Sequence, residues 1–350
     1  MLRRMIPTET VLVLSPGPGN PGNRRTAFHD ENDGGMRLVY SRFYGEYDAA
    51  NDHSTAYIAA RCSRDDGATW TDEDEVVLPN EAAMNTVSTS VMDRPDGTVG
   101  LFYSRKQSLA DCRPMVRFSR DWRSWSEPVS IIEDETAYYV VNNDRVVRLS
   151  NGRLLVPVAR HGLPGEEFHS RGVVMCCLSD DEGERWHRSE TVLEQHLLPD
   201  CPRGLQEPGV VELRGGRLLM FCRGGGGTQY LSHSQDGGET WTPVERSSFS
   251  SPCSPASVKR VPETGDLLLV YNDNGADDRR TPLTAGLSSD EGRTWRVVGN
   301  LEEDPEGHYC YVSIHFRAGH VLLGYSAGRR GAGGLNESKI VRFPVERLYS

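Results

Sequence analysis

An eight-residue phrase recurs through the chain: SRDDGATW at 63–70, SDDEGERW at 179–186, SQDGGETW at 234–241 and SSDEGRTW at 288–295, with a degenerate form, SRDWRSW, at 119–125. Successive copies start 56, 60, 55 and 54 residues apart. A period of that length in 350 residues leaves room for about six supersecondary units, as in a propeller of four-stranded blades. Out of phase with the octet runs a second repeat: an apolar strand, a glycine turn and another apolar strand. It occurs six times, with turn glycines at Gly35, Gly97, Gly152, Gly216, Gly265 and Gly319. Six hairpins and five octets predict an all-β six-bladed propeller over 1–350 as one domain, each octet turning between a blade's outer strands. The last blade lacks an octet, so either terminus is available to close the ring.

Within the octet, serine and aspartate suit hydrogen bonds to turn backbone, glycine permits positive φ, and tryptophan offers an apolar plate. Asp65, Asp181, Asp236 and Asp290 are the residue type of a catalytic carboxylate or calcium ligand. Copies on symmetry-related blades cannot converge on one substrate, which makes them turn fasteners.

Composition narrows the partners. Lys and Arg total 39 against 50 Asp and Glu, a net charge of −11, which disfavours nucleic acid and anionic membranes. The opening MLRRMIPTETVLVLSPGPG contains only the apolar run VLVL, too short for a leader or a membrane span, so a cytoplasmic protein is expected. The eight cysteines have no CxxC spacing and read as buried small hydrophobes. The composition and motifs imply no metal and no cofactor, and leave the oligomeric state open.

In a propeller the first strands of the blades line the central channel, so the residues opening them meet at one mouth. The hairpins place Arg25 with Arg24, Asn85, Asn143, Glu207, Ser254 and Tyr311 there, and the second strands end near the same rim with Arg42, Arg105, Arg160, Arg223 and Asp273. So many arginines at one mouth of an acidic protein suit a carboxylate-bearing ligand, a small molecule or an oligosaccharide. The loops 161–172 and 196–204 are long enough to overhang that mouth, and RGGGGTQY (223–230) reads as a flexible turn.

With these segments in view, the octets resemble the Asp-box, or BNR repeat, of the sialidase (neuraminidase) family, and QEPGVVELRGGRLLMFCR resembles the segment carrying that family's glutamate and second arginine. The resemblance implies an exo-α-sialidase-like glycoside hydrolase of carbohydrate metabolism. Glu207 takes the place of the glutamate beside the nucleophile, Tyr311 that of the nucleophile, and Arg223 and Arg280 those of two carboxylate-binding arginines. Arg42 corresponds to the arginine contacting sugar hydroxyls. NRRTAF departs from the family's Arg-Ile-Pro phrase, so the first arginine is Arg25 or Arg24, with Arg25 nearer the strand start. Counting back from the first octet favours Asp52 as acid and base, whereas counting forward from Arg42 favours Asp48.

A tyrosine nucleophile suits such a substrate, because the carboxylate on the anomeric carbon would repel an anionic one. Two displacements would retain configuration. The same arginines also suit a propeller glycosidase or lyase for another acidic sugar, such as a uronic acid, or a glycan-binding propeller without catalysis.

Overall fold

The protein, seen in a computed structural model that describes residues 3–45, 52–133, 136–194, 201, 203–331 and 334–350, is a ring of six antiparallel blades built almost wholly from strands. Blade 1 comprises Asn23–Asp30, Met36–Phe43, Ala56–Ser63 and Glu75–Leu78. Blade 2 comprises Asn85–Asp93, Val99–Lys106, Cys112–Ser119 and Val129–Ser130. Blade 3 comprises Val147–Arg148, Leu154–His161, Gly172–Ser179 and His187–Arg188. Blade 4 comprises Gln206–Glu212, Leu218–Arg223, Thr228–Ser234 and Glu245–Ser250. Blade 5 comprises Ser257–Arg260, Leu267–Asn272, Leu283–Ser288 and Arg296–Glu302. Blade 6 runs through Cys310–Arg317, His320–Ala327 and Glu337–Pro344, and its outermost strand is the N-terminal Glu9–Leu14. The extra strand Tyr138–Val140 pairs antiparallel with blade 3 and parallel with blade 2, joining the two into one sheet.

Alternation explains why the second strands read as unbroken apolar runs. In LLVPVA, Leu154, Val156 and Val158 pack towards blade 2, whereas Leu155 and Ala159 pack towards blade 4. Both faces are covered, so both parities must be apolar. A buried cluster fills each gap around the ring. Blades 6 and 1, for example, share Leu322, Ile340, Leu38 and Tyr40, and blades 5 and 6 share Leu268, Val270, Leu323 and Phe343.

The octets turn between third and fourth strands. In the first, Ser63 Oγ accepts from Gly67 N at 2.9 Å, and Asp65 accepts from Thr69 N at 2.9 Å and Thr69 Oγ1 at 2.7 Å. Each such glycine abuts the preceding blade: a Cβ on Gly67 would lie 2.2 Å from Leu322 Cδ2, and one on Gly238 2.7 Å from Leu155 Cδ1. In the short copy the glycine is missing, and Trp122 N takes over the bond to Ser119 Oγ at 2.9 Å. The first hairpin puts its left-handed glycine at Gly34, with φ 86°, one residue ahead of Gly35.

The inner strands share a device the sequence does not announce. Each of four carries a β-bulge, with register jumps at Arg24/Ala27, Val87/Ser90, Gln206/Gly209 and Cys310/Ser313. Within the bulges Arg25, Ser88, Glu207 and Tyr311 adopt φ of 61°, 61°, 44° and 58°. Asp144, in the turn just ahead of blade 3, has φ 54°. A left-handed non-glycine residue costs about 1–2 kcal/mol, and here the cost falls repeatedly at the hub.

Candidate active site

At one mouth of the hub the blades leave a cleft of about 710 Å³. Its charged lining is Arg24, Arg25, Lys106, Arg203, Arg223, Arg280 and Arg330 against Asp52 and Glu207, a local reversal of the overall negative charge. Tyr311 lies at its floor, 8% exposed, and its hydroxyl donates to Glu207 Oε1 at 2.9 Å. Glu207 Oε2 accepts from Arg223 Nη1 at 2.7 Å. The Cζ atoms of Arg25 and Arg280 stand 5.3 and 5.8 Å from the centre of the Tyr311 ring. Three guanidiniums thus surround one phenol, contributed by blades 1 and 4 and by the segment entering the third strand of blade 5.

The bulges make this convergence possible. By inserting a residue in left-handed conformation, each turns a side chain from the strand's face towards the hub axis. The turn leading into blade 3 ties the arrangement together: Asn143 Nδ2 donates to the carbonyls of Thr26 at 2.7 Å and Tyr311 at 3.1 Å.

Burial and the Glu207 carboxylate both push the Tyr311 hydroxyl well above the ordinary phenol range. Burial works to raise Glu207 too, but Arg223, and behind it Arg280 and the Tyr311 hydroxyl, outweigh it and hold the carboxyl below its usual range. The pair rests as neutral phenol and carboxylate. Asp52 hangs on the opposite side, with Oδ1 2.6 Å from Arg24 Nη1 and Oδ2 3.1 Å from Arg25 Nη2. Burial opposes its ionisation, but Arg25, Arg24 and Lys106 overcome that and keep it well below the normal carboxylate range.

Of the expected residues, the structure brings Arg25, Asp52, Glu207, Arg223, Arg280 and Tyr311 to one cleft, with Arg24 beside them. Asp48 lies outside the described residues. Arg42 does not reach the cleft: its Nη1 contacts Asp74 Oδ2 at 2.6 Å, and Asp74 also binds Tyr40 and Arg61. Strand parity is the reason. Arg223 pairs with Gln206, the residue before the bulge position; the residues so placed in blades 1 and 2 are Ser41, opposite Arg24, and Ser104, opposite Val87. Arg42 and Arg105 come one residue later and therefore face away. Their place on the rim passes in blades 2 and 3 to the following residues, Lys106, which sequence reasoning missed, and His161, the first residue of the loop expected to overhang the mouth.

Two cysteines were likewise not foreseen in this role. Arg280 Nη1 donates to Cys310 Sγ at 2.8 Å, and Arg223 Nε to Cys253 Sγ at 3.3 Å. Burial pushes the Cys310 thiol up to about 11, so it orients its arginine without cancelling the charge. Phe168, from the overhanging loop, packs over the rim with its ring 5.0 Å from Tyr138 and 4.9 Å from His161. No group of three or more His, Cys, Asp or Glu poised to hold a metal occurs among the described residues.

Fold and site together define a six-bladed propeller whose hub holds a tyrosine–glutamate pair inside a ring of arginines. The chain belongs to the BNR repeat-like domain family, whose description matches residues 37–321. It is 26% identical over 326 residues to a sialidase of Micromonospora viridifaciens, covering 83% of this chain and 48% of that protein. It is 25% identical over 211 residues to a sialidase of Bacteroides fragilis strain YCH46, covering 57% of this chain and 36% of that one. The chain thus spans half or less of the length of these curated relatives. Among solved structures, the Trypanosoma rangeli sialidase in complex with 2,3-difluorosialic acid superposes with a TM-score of 0.75 at 17% identity, covering 99% of this chain and 60% of that one.

Proposed function

We propose that this protein is a retaining exo-glycosidase that removes a terminal sialic acid, or a related 2-keto acid sugar, from a glycoside. The observation that carries the reading is the hydrogen bond of 2.9 Å from Tyr311 to Glu207 within reach of three arginines. A binding module has no use for a buried phenol paired with a proton acceptor, whereas a carboxylate-bearing sugar needs a neutral nucleophile. Arg25, Arg223 and Arg280 hold the substrate carboxylate and so set the anomeric carbon over Tyr311. As the Tyr311 oxygen bonds to that carbon, its proton passes to Glu207, while Asp52 protonates the departing oxygen. In the second half Asp52 takes a proton from water, the water displaces Tyr311, and Glu207 returns the proton to the phenol oxygen. Two inversions leave the configuration unchanged.

The test is a fluorogenic sialoside. The wild-type protein is expected to release the aglycone, and Tyr311→Phe to lower kcat by roughly 10³-fold with the thermal unfolding midpoint unchanged. Undiminished turnover in that variant removes Tyr311 from the nucleophile's place. Release from glucuronides but not from ulosonic acid glycosides would move the assignment to another acidic sugar, and binding without turnover would make this a glycan-binding propeller.

A further inference from the structure

Consecutive residues of a strand ordinarily face opposite sides. Arg24 and Arg25 do not, because the bulge that begins at Arg24 and gives Arg25 φ 61° turns both side chains into the cleft. Both grip Asp52, one oxygen each, at 2.6 and 3.1 Å. Their other neighbours differ. Arg25 sits over the Tyr311 ring, among the groups that would receive a substrate carboxylate, whereas Arg24 lies with its Cζ 5.0 Å from the centre of Phe43 in its own blade. Asp52 thus occupies a place on Arg25 that an incoming carboxylate needs. The main chain of Asp52 is anchored independently: its carbonyl accepts from Asn85 Nδ2 and from Lys106 Nζ, each at 3.0 Å. Its side chain can therefore change partners without the turn being lost.

We infer that the two arginines divide the work: on binding, Arg25 passes from Asp52 to the substrate carboxylate, Arg24 remains as the positioning residue for Asp52, and the exchange draws one proton from solvent onto Asp52. This rests on the reading of Asp52 as acid and base, and removes a difficulty in it. An aspartate held by two guanidiniums is ionised at neutral pH and has no proton to give. Replacing one cationic contact by an anionic neighbour favours the protonated form twice over. The balance is simple: one carboxylate enters ionised, one solvent proton is bound, and Asp52 becomes the acid only when a leaving group is present. The other groups facing Asp52 are Lys106 from blade 2, His53 beside it and, across Arg25, Tyr311 and Tyr138. Burial and Lys106 both push His53 below its ordinary range, against the pull of Asp52.

Calorimetry tests this on the full chain, using the unsaturated sialic acid analogue as ligand in buffers of different ionisation enthalpy between about pH 7 and about pH 5. Proton uptake per bound analogue is expected to rise as pH falls in the wild type. It should vanish in Asp52→Asn, which binds the analogue roughly fivefold or more tighter because its competitor is gone. No uptake in the wild type overturns the exchange, and uptake persisting in Asp52→Asn, which would place the proton on His53, overturns it equally. With a sialoside, Arg24→Gln should lower kcat about tenfold with KM within about twofold, Arg24→Lys should recover part of the loss, and Arg25→Gln should chiefly raise KM. The opposite split ends the division of roles. If the analogue fails to bind, pyruvate and glucuronate take its place: uptake with either keeps the exchange while the sialic acid reading falls, and binding of none of the three overturns the exchange itself.

Discussion

His161 shows how far burial governs single residues at the hub. It is 3% exposed, its Nδ1 donates to the His169 carbonyl at 2.9 Å, and burial depresses its pKa to about 4. His308, on the far side of the cleft, is also pushed down to about 4, by burial and by Arg280. A base held neutral in the fold takes its proton when the chain unfolds, so between the ordinary value near 6.5 and about 4 the unfolded state binds more protons. Stability should therefore be level above about pH 6.5 and decline below it, with Asp52 and Glu207 adding to the loss only at more acid pH, once they too are forced to protonate. The urea midpoint measured at about pH 7 and about pH 5 reads this, and His161→Gln is expected to remove roughly half of the histidine-borne difference. An unchanged slope would show that burial of this ring is not what acid attacks. What the sequence revealed at this scale follows from the same geometry. Arg25, Glu207 and Tyr311 open strands and occur once each, so they stood out from the repeats. Arg42 carried an equally plausible label, but its parity depends on a bulge that no residue type advertises, and it faces Asp74 instead. Cys253 and Cys310 gave no signal, because a thiol that orients an arginine has the composition of a core residue.

At the scale of elements, the octet fastens its own turn and also rests on its neighbour. Asp236 holds Thr240 N at 3.0 Å, Ser234 Oγ accepts from Gly238 N at 3.0 Å, and Trp241 enters the cluster between blades 3 and 4. All of that is local hydrogen bonding and one large apolar ring, which is why the octet's role was readable from eight letters. The direction of its contact was not readable: Gly238 belongs to blade 4 yet has its α-carbon against Leu155 and Leu178 of blade 3, where a Cβ would stand 2.7 and 3.3 Å from their methyl groups. A comparison of two glycines separates backbone from contact. Gly238 and Gly152 have nearly equal φ, 93° and 92°, but nothing lies within 4 Å of a Cβ at Gly152. Gly152→Ala should cost about 1 kcal/mol, the conformational term alone, and Gly238→Ala about 2–4 kcal/mol, with overpacking added. Denaturant melts of both variants give the difference, and kcat should be untouched in each, since neither glycine approaches the cleft. Equal losses would mean that the octets hold only their own turns.

The whole ring depends on a joint between distant parts of the chain. Six blades were countable from the hairpins, but the last blade lacks an octet and either terminus suited its vacancy. Glu337–Pro344 forms the third strand of blade 6 and Glu9–Leu14 the fourth, paired from Glu9 with Arg342 to Leu14 with Ser338. The N-terminal segment reaches further: Ile6 N donates to the Asn300 carbonyl of blade 5 at 2.8 Å, and Asn23 Nδ2 of blade 1 donates to the carbonyls of Leu14 and Ser15 at 3.3 and 3.1 Å. One strand thus spans the seam where blade 6 meets both neighbours, and Ile6 and Leu14 are buried in doing so, at 2% and 5% exposure. The cleft, by contrast, is built from inner strands and the loops above them, with nothing taken from residues 3–15. Removing residues 1–14 should therefore separate stability from chemistry. The unfolding midpoint should fall by about 10 °C, and the bared edge of Glu337–Pro344 should become sensitive to protease, while protein that remains folded keeps its KM for an anionic substrate. A synthetic peptide of residues 3–15 added to the truncated chain supplies the missing ladder, so the midpoint should climb with peptide concentration, as expected for a ligand that binds only the folded ring. A truncated chain that melts at the same temperature as the full one, or ignores the peptide, would place closure of the ring in the packing between blades and not in this strand.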